Sequence, residues 1–139
     1  MTDDAGAATA ARTTQGDAVE LRLPADGAYL SVLRTATAGL AARLDFTLDE
    51  IEDLRIAVDE ACALLLPDAV PGADMTCVFT LAEEALAVTV SVPSQTGRVP
   101  RRNTFAWTGL TALAGEVDAT VGTDGTVSVT LLKQRGGRE

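Results

Sequence analysis

Apolar residues along this chain follow two different periods, and the order of those periods predicts the elements. Val19, Leu21 and Leu23 alternate with Glu20 and Arg22, the period of two of a half-buried strand, and Pro24 stops it. Tyr29, Leu33, Ala36, Leu40 and Leu44 then recur at spacings of three and four, which predicts a helix with one apolar face. A second helix starts at Thr47. Thr47 and Glu50 have the spacing of a capping box, in which each side chain satisfies a free N–H at the helix start. Ile51, Leu54, Val58, Ala61 and Leu65 form its stripe, and Pro67 and Pro71-Gly72 end it. Two alternating stretches follow, Met75, Cys77, Phe79, Leu81 and then Leu86, Val88, Val90, Val92, with Glu83-Glu84 as the turn of a hairpin. Residues 93–104 hold two prolines and a glycine and read as a loop carrying Arg98, Arg101 and Arg102. A third helix over about residues 105–115 is expected to bury Phe105, Leu110 and Leu113. The last hairpin pairs residues 117–121 with 126–132 across Thr123-Asp124-Gly125, where Asp-Gly favours a tight turn.

The order is β-α-α-β-β-α-β-β. Antiparallel hairpins whose helices must share one face specify an α+β fold, a two-layer sandwich. A length of 139 residues suits one domain, expected over residues 18–133. Residues 1–17 lack an apolar period and read as a disordered tail, and residues 134–139 as a frayed one.

Composition narrows the chemistry. There is no histidine, which excludes Ser-His-Asp and Cys-His catalysis and the commonest metal ligand. Cys62 and Cys77 cannot make a zinc site alone, and both fall at apolar positions, as buried free thiols do; a disulfide between them stays open. A formal net charge of -9 disfavours direct nucleic-acid binding and suits either solubility or a partner with a basic face. No apolar run is long enough to span a membrane, and Asp3 and Asp4 stand where a signal peptide would be basic, so a cytoplasmic protein is expected. Lys133 is the single lysine among many arginines, which reads as genome composition.

Four segments carry a family resemblance. They are Arg34 with Ala41-Ala42-Arg43-Leu44-Asp45, then Thr47-Leu48-Asp49-Glu50, then the run from Asp53 through Asp59-Glu60-Ala61-Cys62, and lastly Phe105-Ala106-Trp107 with Leu110-Thr111-Ala112-Leu113-Ala114 and Glu116-Val117. With the element order, they resemble the GHKL (Bergerat) ATPase fold and, within it, the RsbW and SpoIIAB anti-sigma factors, most of all the actinobacterial UsfX type. The resemblance spans roughly residues 19–132.

That resemblance implies a homodimer that holds a stress- or sporulation-type sigma factor and is released by a STAS-type anti-anti-sigma protein. Active members are serine kinases. They use a glutamate as general base, an asparagine one turn later as a Mg²⁺ ligand, and glycine-rich segments with an aspartate for adenine and phosphates. Here Glu60 matches the base position, where an ordinary exposed helix carboxylate is the favoured reading, and Leu64 stands where the asparagine would be. The strand ending at Val92 continues as Pro93-Ser94-Gln95-Thr96-Gly97 in place of an Asp-x-Gly-x-Gly loop. Asn103-Thr104-Phe105-Ala106-Trp107 replaces the second glycine segment, and Phe105 and Trp107 are expected to fill the nucleotide's space. No ATP, Mg²⁺ or other metal is therefore expected. The resemblance places sigma contacts at Arg34, Arg43 and Leu33. Arg34 should point away from the core, since Leu33 and Ala36 occupy the apolar stripe. Trp107 reads equally as a core aromatic or a partner contact, and Arg98, Arg101 and Arg102 as a solvated loop or a contact for an acidic partner. The alternatives are an active serine kinase phosphorylating an anti-anti-sigma protein, and a ligand-sensing domain using the former nucleotide cleft.

Overall fold

The computed structural model describes residues 16–136. The tails expected at 1–17 and 134–139 lie outside this range apart from residues 16–17 and 134–136. Strand β1 (Ala18–Pro24) leads through a short 3-10 turn at Gly27–Tyr29 into helix α1 (Leu30–Arg43). Helix α2 (Leu48–Leu65) follows, then strands β2 (Asp74–Leu81) and β3 (Ala85–Pro93), helix α3 (Phe105–Ala114), and strands β4 (Glu116–Val121) and β5 (Thr126–Gln134). The five strands form one antiparallel sheet in the order β1-β2-β3-β5-β4. The α+β sandwich and element order expected from the pattern are both present.

The strand alternation does what a period of two requires. Met75, Cys77, Phe79 and Leu81 of β2 and Leu86, Val88, Val90 and Val92 of β3 are buried beneath the helices. The intervening residues are polar or small apart from Val78. On that outer face, Thr89 pairs with Thr130 through their hydroxyls at 2.9 Å, and Ser91 with Ser128 at 2.7 Å, following the β3–β5 register.

Helix α2 is fixed from its start. Thr47 Oγ1 accepts from the Glu50 N–H at 3.1 Å and Glu50 Oε1 accepts from the Thr47 N–H at 2.7 Å, the expected capping box. Its buried set is Leu54, Ala57, Val58, Ala61, Cys62 and Leu65, wider than the expected stripe. In α1, the fully buried residues are Leu33, Thr37 and Ala41, one turn apart. Tyr29, expected on this face, precedes the helix in the 3-10 turn and is exposed. Thr37 is polar but pays no penalty for burial, because its hydroxyl donates to the Leu33 carbonyl at 2.8 Å. The two thiols are buried and free, and burial pushes Cys62 up to about 12 and Cys77 up to about 11.

Helix α3 departs from expectation in its phase. Thr104 caps it, accepting from the Trp107 N–H at 3.1 Å, and Gly115 ends it at φ 99, in the left-handed region that glycine adopts without strain. The face turned to the sheet carries Trp107, Leu110 and Ala114. Phe105 is 95% exposed, so the expectation that it is buried is corrected. Phe105 and Trp107 lie about 200° apart on a helix, so only one of them can face the sheet. Lys133 Nζ donates to the Leu113 carbonyl at 2.9 Å and lies 3.8 Å from Asp53, so the lone lysine ties β5 to the last turn of α3 and to α2.

The segment after β3 is stitched to the end of α2. Asp68 accepts from the Ser94 hydroxyl at 2.5 Å, the Thr96 hydroxyl at 2.6 Å and the Thr96 N–H at 3.3 Å, while its carbonyl accepts from the Gln95 N–H at 2.8 Å. Ser94 first, then Thr96, holds the Asp68 carboxyl below the usual carboxylate range.

Two expectations follow for the fold. Leu54→Ala, which empties a fully buried site, should cost about 2–5 kcal/mol in urea unfolding. Phe105→Ala should stay within about 0.5 kcal/mol of wild type, as an exposed side chain should; a loss near that of Leu54→Ala would mean that Phe105 is packed. The contribution of Asp68 has a definite sign. Its folded pKa is lowered, so the stabilisation is present above the unfolded value and is lost as pH falls through the folded one. The amide resonance of Thr96 should therefore titrate with a midpoint below ~3.9, the unperturbed Asp value, and lose that titration in Asp68→Asn.

Candidate functional site

The family-matching positions converge on the flanks of α2. Successive residues of a helix are about 100° apart, so Asp59 and Glu60 splay to opposite flanks once the stripe from Leu54 to Leu65 is turned inward. Asp59 faces α1. Arg34 Nη1 donates to both Asp59 carboxylate oxygens, each at 3.1 Å, and both side chains are about one-third exposed. Arg34 does not point straight away from the core as expected: it lies about 60° around the helix from Thr37, the middle of the buried face of α1, on the side turned to α2. Its guanidinium meets a carboxylate of its own chain.

The structure does not bring together the three residues assigned to a sigma contact. Leu33 is 0% exposed and packs in the core, so it cannot serve as a surface contact; the correction follows from the inward phase of Leu33, Thr37 and Ala41. Arg43 is nine residues beyond Arg34, which places it about 180° around the helix and roughly 13 Å along it. It borders a depression of about 580 Å³ with Asp17, Leu81 and Glu83, at the end of the sheet that carries the β2–β3 turn.

Glu60 faces the other way, toward α3. It is exposed and lines an open groove of about 270 Å³ with Ile56, Phe105, Ala106, Gly109, Leu110 and Leu113. Leu64, one turn on, is half-buried and packed against the core. The loop at Ser94–Gly97 is held by Asp68 as described, with the Gly97 N–H donating to Ser94 Oγ at 2.9 Å. Trp107 is 7% exposed, and the Arg102 guanidinium lies over its ring at 5.1 Å. Arg102 also binds Asp118 at 2.6 Å, which lowers the Asp118 carboxyl below the usual range, and donates to the Ala119 carbonyl at 3.3 Å. Trp107 is thus a core aromatic, and Arg102 a clamp between the loop and β4. The signal for that clamp was the arginine cluster itself, but its partner lies 16 residues away and no local pattern marks it. Among the described residues no cluster of His, Cys, Asp and Glu could hold a metal, and no helix is long and apolar enough to cross a membrane.

No family model matches the chain. Individual relatives do. An anti-sigma-F factor RsbW from Mycobacterium tuberculosis (strain CDC 1551 / Oshkosh) is 36% identical over 100 residues, 72% of this chain and 60% of its own length. A serine-protein kinase RsbW from Bacillus cereus (strain ATCC 10987 / NRS 248) is 36% identical over 75 residues, 52% of this chain and 47% of its own. The chain therefore spans only about half to three-fifths of the length of these relatives. The crystal structure of the RsbU and RsbW domains of a Mycobacterium tuberculosis protein superposes with a TM-score of 0.67 over 86% of this chain and 32% of that one, at 15% identity, a likeness of fold. The order of elements, the α2 segment ending in Glu60 and the agreement with these relatives lead to one conclusion: over the matched residues the chain is similar to RsbW proteins.

Proposed function

We propose that this protein is an anti-sigma factor of the actinobacterial UsfX type, which holds an alternative sigma factor of the stress or sporulation class inactive by binding it. A STAS-type anti-anti-sigma protein releases it, and the working form is a cytoplasmic homodimer. The observation that carries this reading is the 100-residue stretch shared with the mycobacterial anti-sigma-F factor.

On this reading the binding role persists without phosphoryl transfer. The side chains in the former nucleotide site do not fit Mg-ATP. Leu64 has no oxygen for Mg²⁺, which takes hard oxygen ligands. The carboxylate nearest the Ser94–Gly97 loop, Asp68, is committed to Ser94 and Thr96 and is not free for an adenine amino group. Glu60 then has no phosphoryl donor to serve.

The second reading, a serine kinase with an altered pocket, is favoured by the exposure of Glu60 on an open groove and by the kinases among the relatives. Calorimetric titration with Mg-ATP separates the two. A dissociation constant weaker than about 1 mM, or ~4 kcal/mol of binding, is expected; micromolar binding would return the kinase reading to first place.

The sigma contact is proposed to centre on Arg34. A partner carboxylate there must compete with Asp59 for the guanidinium, so the internal ion pair is part of the cost of binding. Exposed pairs of this kind contribute ~1 kcal/mol or less to stability, so Arg34→Ala should remain folded. It should weaken sigma affinity by ~1–3 kcal/mol, and Arg34→Glu by more, through like-charge repulsion. Biolayer interferometry against co-expressed sigma candidates, with thermal melting as the folding control, measures both. Unchanged affinity in the two variants would remove Arg34 from the interface.

A further inference from the structure

The groove between α2 and α3 has three features that the packing of this chain does not require. Phe105 stands at its rim 95% exposed and Ile56 39% exposed, while Leu110 beneath them is fully buried. Aromatic side chains left in water beside a concave apolar surface mark binding sites more often than isolated exposed residues do. Gly109 interrupts the interior of α3, where glycine is unfavourable, yet a Cβ built on it would meet nothing within 4 Å. The glycine therefore keeps a space open that no part of the described chain uses. Glu60 is the one ionisable residue lining the groove, and it makes no hydrogen bond or ion pair among the described residues.

We infer that this groove is a docking site for a helical segment of another protein that presents a large apolar side chain and, one turn away, a lysine or arginine. The apolar side chain enters above Gly109 between Phe105 and Ile56, and the cation pairs with Glu60. Charge selects this occupant. A neutral apolar segment would desolvate the Glu60 carboxylate with no partner, and an acidic one would add repulsion, on a chain of formal net charge -9. Size also selects it. About 270 Å³ lies below the usual range of small-molecule pockets but accommodates one or two side chains set into an open groove. The inference stands apart from the sigma-binding proposal, whose contact at Arg34 lies on the opposite flank of α2.

The test is selection of randomised 12-residue peptides displayed on phage against the full chain, counter-selected on Gly109→Leu. That variant fills the groove and should fold, because its added atoms point into open space. Recovered peptides should share an apolar residue and a Lys or Arg three or four positions apart. By fluorescence polarisation they should bind wild type at least ten-fold tighter than Gly109→Leu, Phe105→Ala or Glu60→Lys. Glu83→Lys, which makes the same charge change on the β2–β3 turn, should bind like wild type and so separates local pairing from overall charge. The inference fails if no peptide is enriched over the counter-selection or if the recovered peptides lack the basic residue. It fails equally if Glu83→Lys loses as much affinity as Glu60→Lys.

Discussion

The burial of helix α2 on the sheet is the constraint from which the rest follows. Six of its residues are buried, and three of them, Ala57, Ala61 and Cys62, are small, so the helix lies close against the strands with little freedom to rotate. Once that stripe faces inward, the directions of the remaining side chains are set by helix geometry. Asp59 must face α1, where it meets Arg34, and Ile56, Glu60 and Leu64 must lie toward α3 and the loop that precedes it. A rotation of α2 by one residue would bury Asp59 and expose Val58, at a cost no surface contact could offset. The capping box at Thr47 and Glu50 supports the same phase from the helix start.

This arrangement explains why adjacent acidic residues belong to different surfaces. Asp59 is neutralised within the chain, and its ion pair joins two helices. Glu60, one residue later, is left facing an apolar groove. A pair of neighbouring carboxylates in the sequence thus becomes one structural element and one charge without a partner among the described residues, and the difference comes from the 100° between them. Opposite α2, the outer face of the sheet carries hydroxyl pairs in place of an apolar layer, so the helices cover one face only.

Much of the fold could be read from the chain because most of its elements have a single possible phase. β2 and β3 alternate without interruption, and α2 has polar residues on every side but one, so burial of the wrong face would be costly. Periodicity fails to set the phase where that contrast is missing. Helix α3 is apolar nearly all round, with Phe105, Ala106, Trp107, Leu110, Ala112 and Leu113 available, and periodicity cannot choose among such faces. The choice is made by Thr104, which caps the helix through Trp107, and by Arg102, which binds the Trp107 ring from a loop anchored at Asp118. In α1 the presence of Thr37 at the centre of the buried face was hidden because its polarity is satisfied by the helix's own backbone. The candidate site was legible in its residue types and not in its contacts. Arg34 sits at the edge of the buried face of α1, and its partner lies 25 residues along the chain, where no local pattern marks it. Leu33, beside it, is a sigma contact by family resemblance, whereas its own apolar period argues for the core, where it lies.

The distribution of charge shows how an acidic chain keeps its surface field. Arg34 pairs with Asp59, Arg55 with Glu52, Arg102 with Asp118, Lys133 with Asp53 and Arg135 with Glu84, so many of its few cations are bound to carboxylates of the same chain. Such pairs contribute little stability individually. Their larger effect is on recognition. A cation held by its own chain presents a weaker field to a partner than a free one, whereas the carboxylates in excess remain outward. An approaching partner therefore meets a mainly negative surface in which Glu60 is the charge set beside exposed apolar area. Long-range attraction of a basic surface and short-range burial of an apolar side chain then act at the same place, which is the combination that gives both a fast encounter and a slow release.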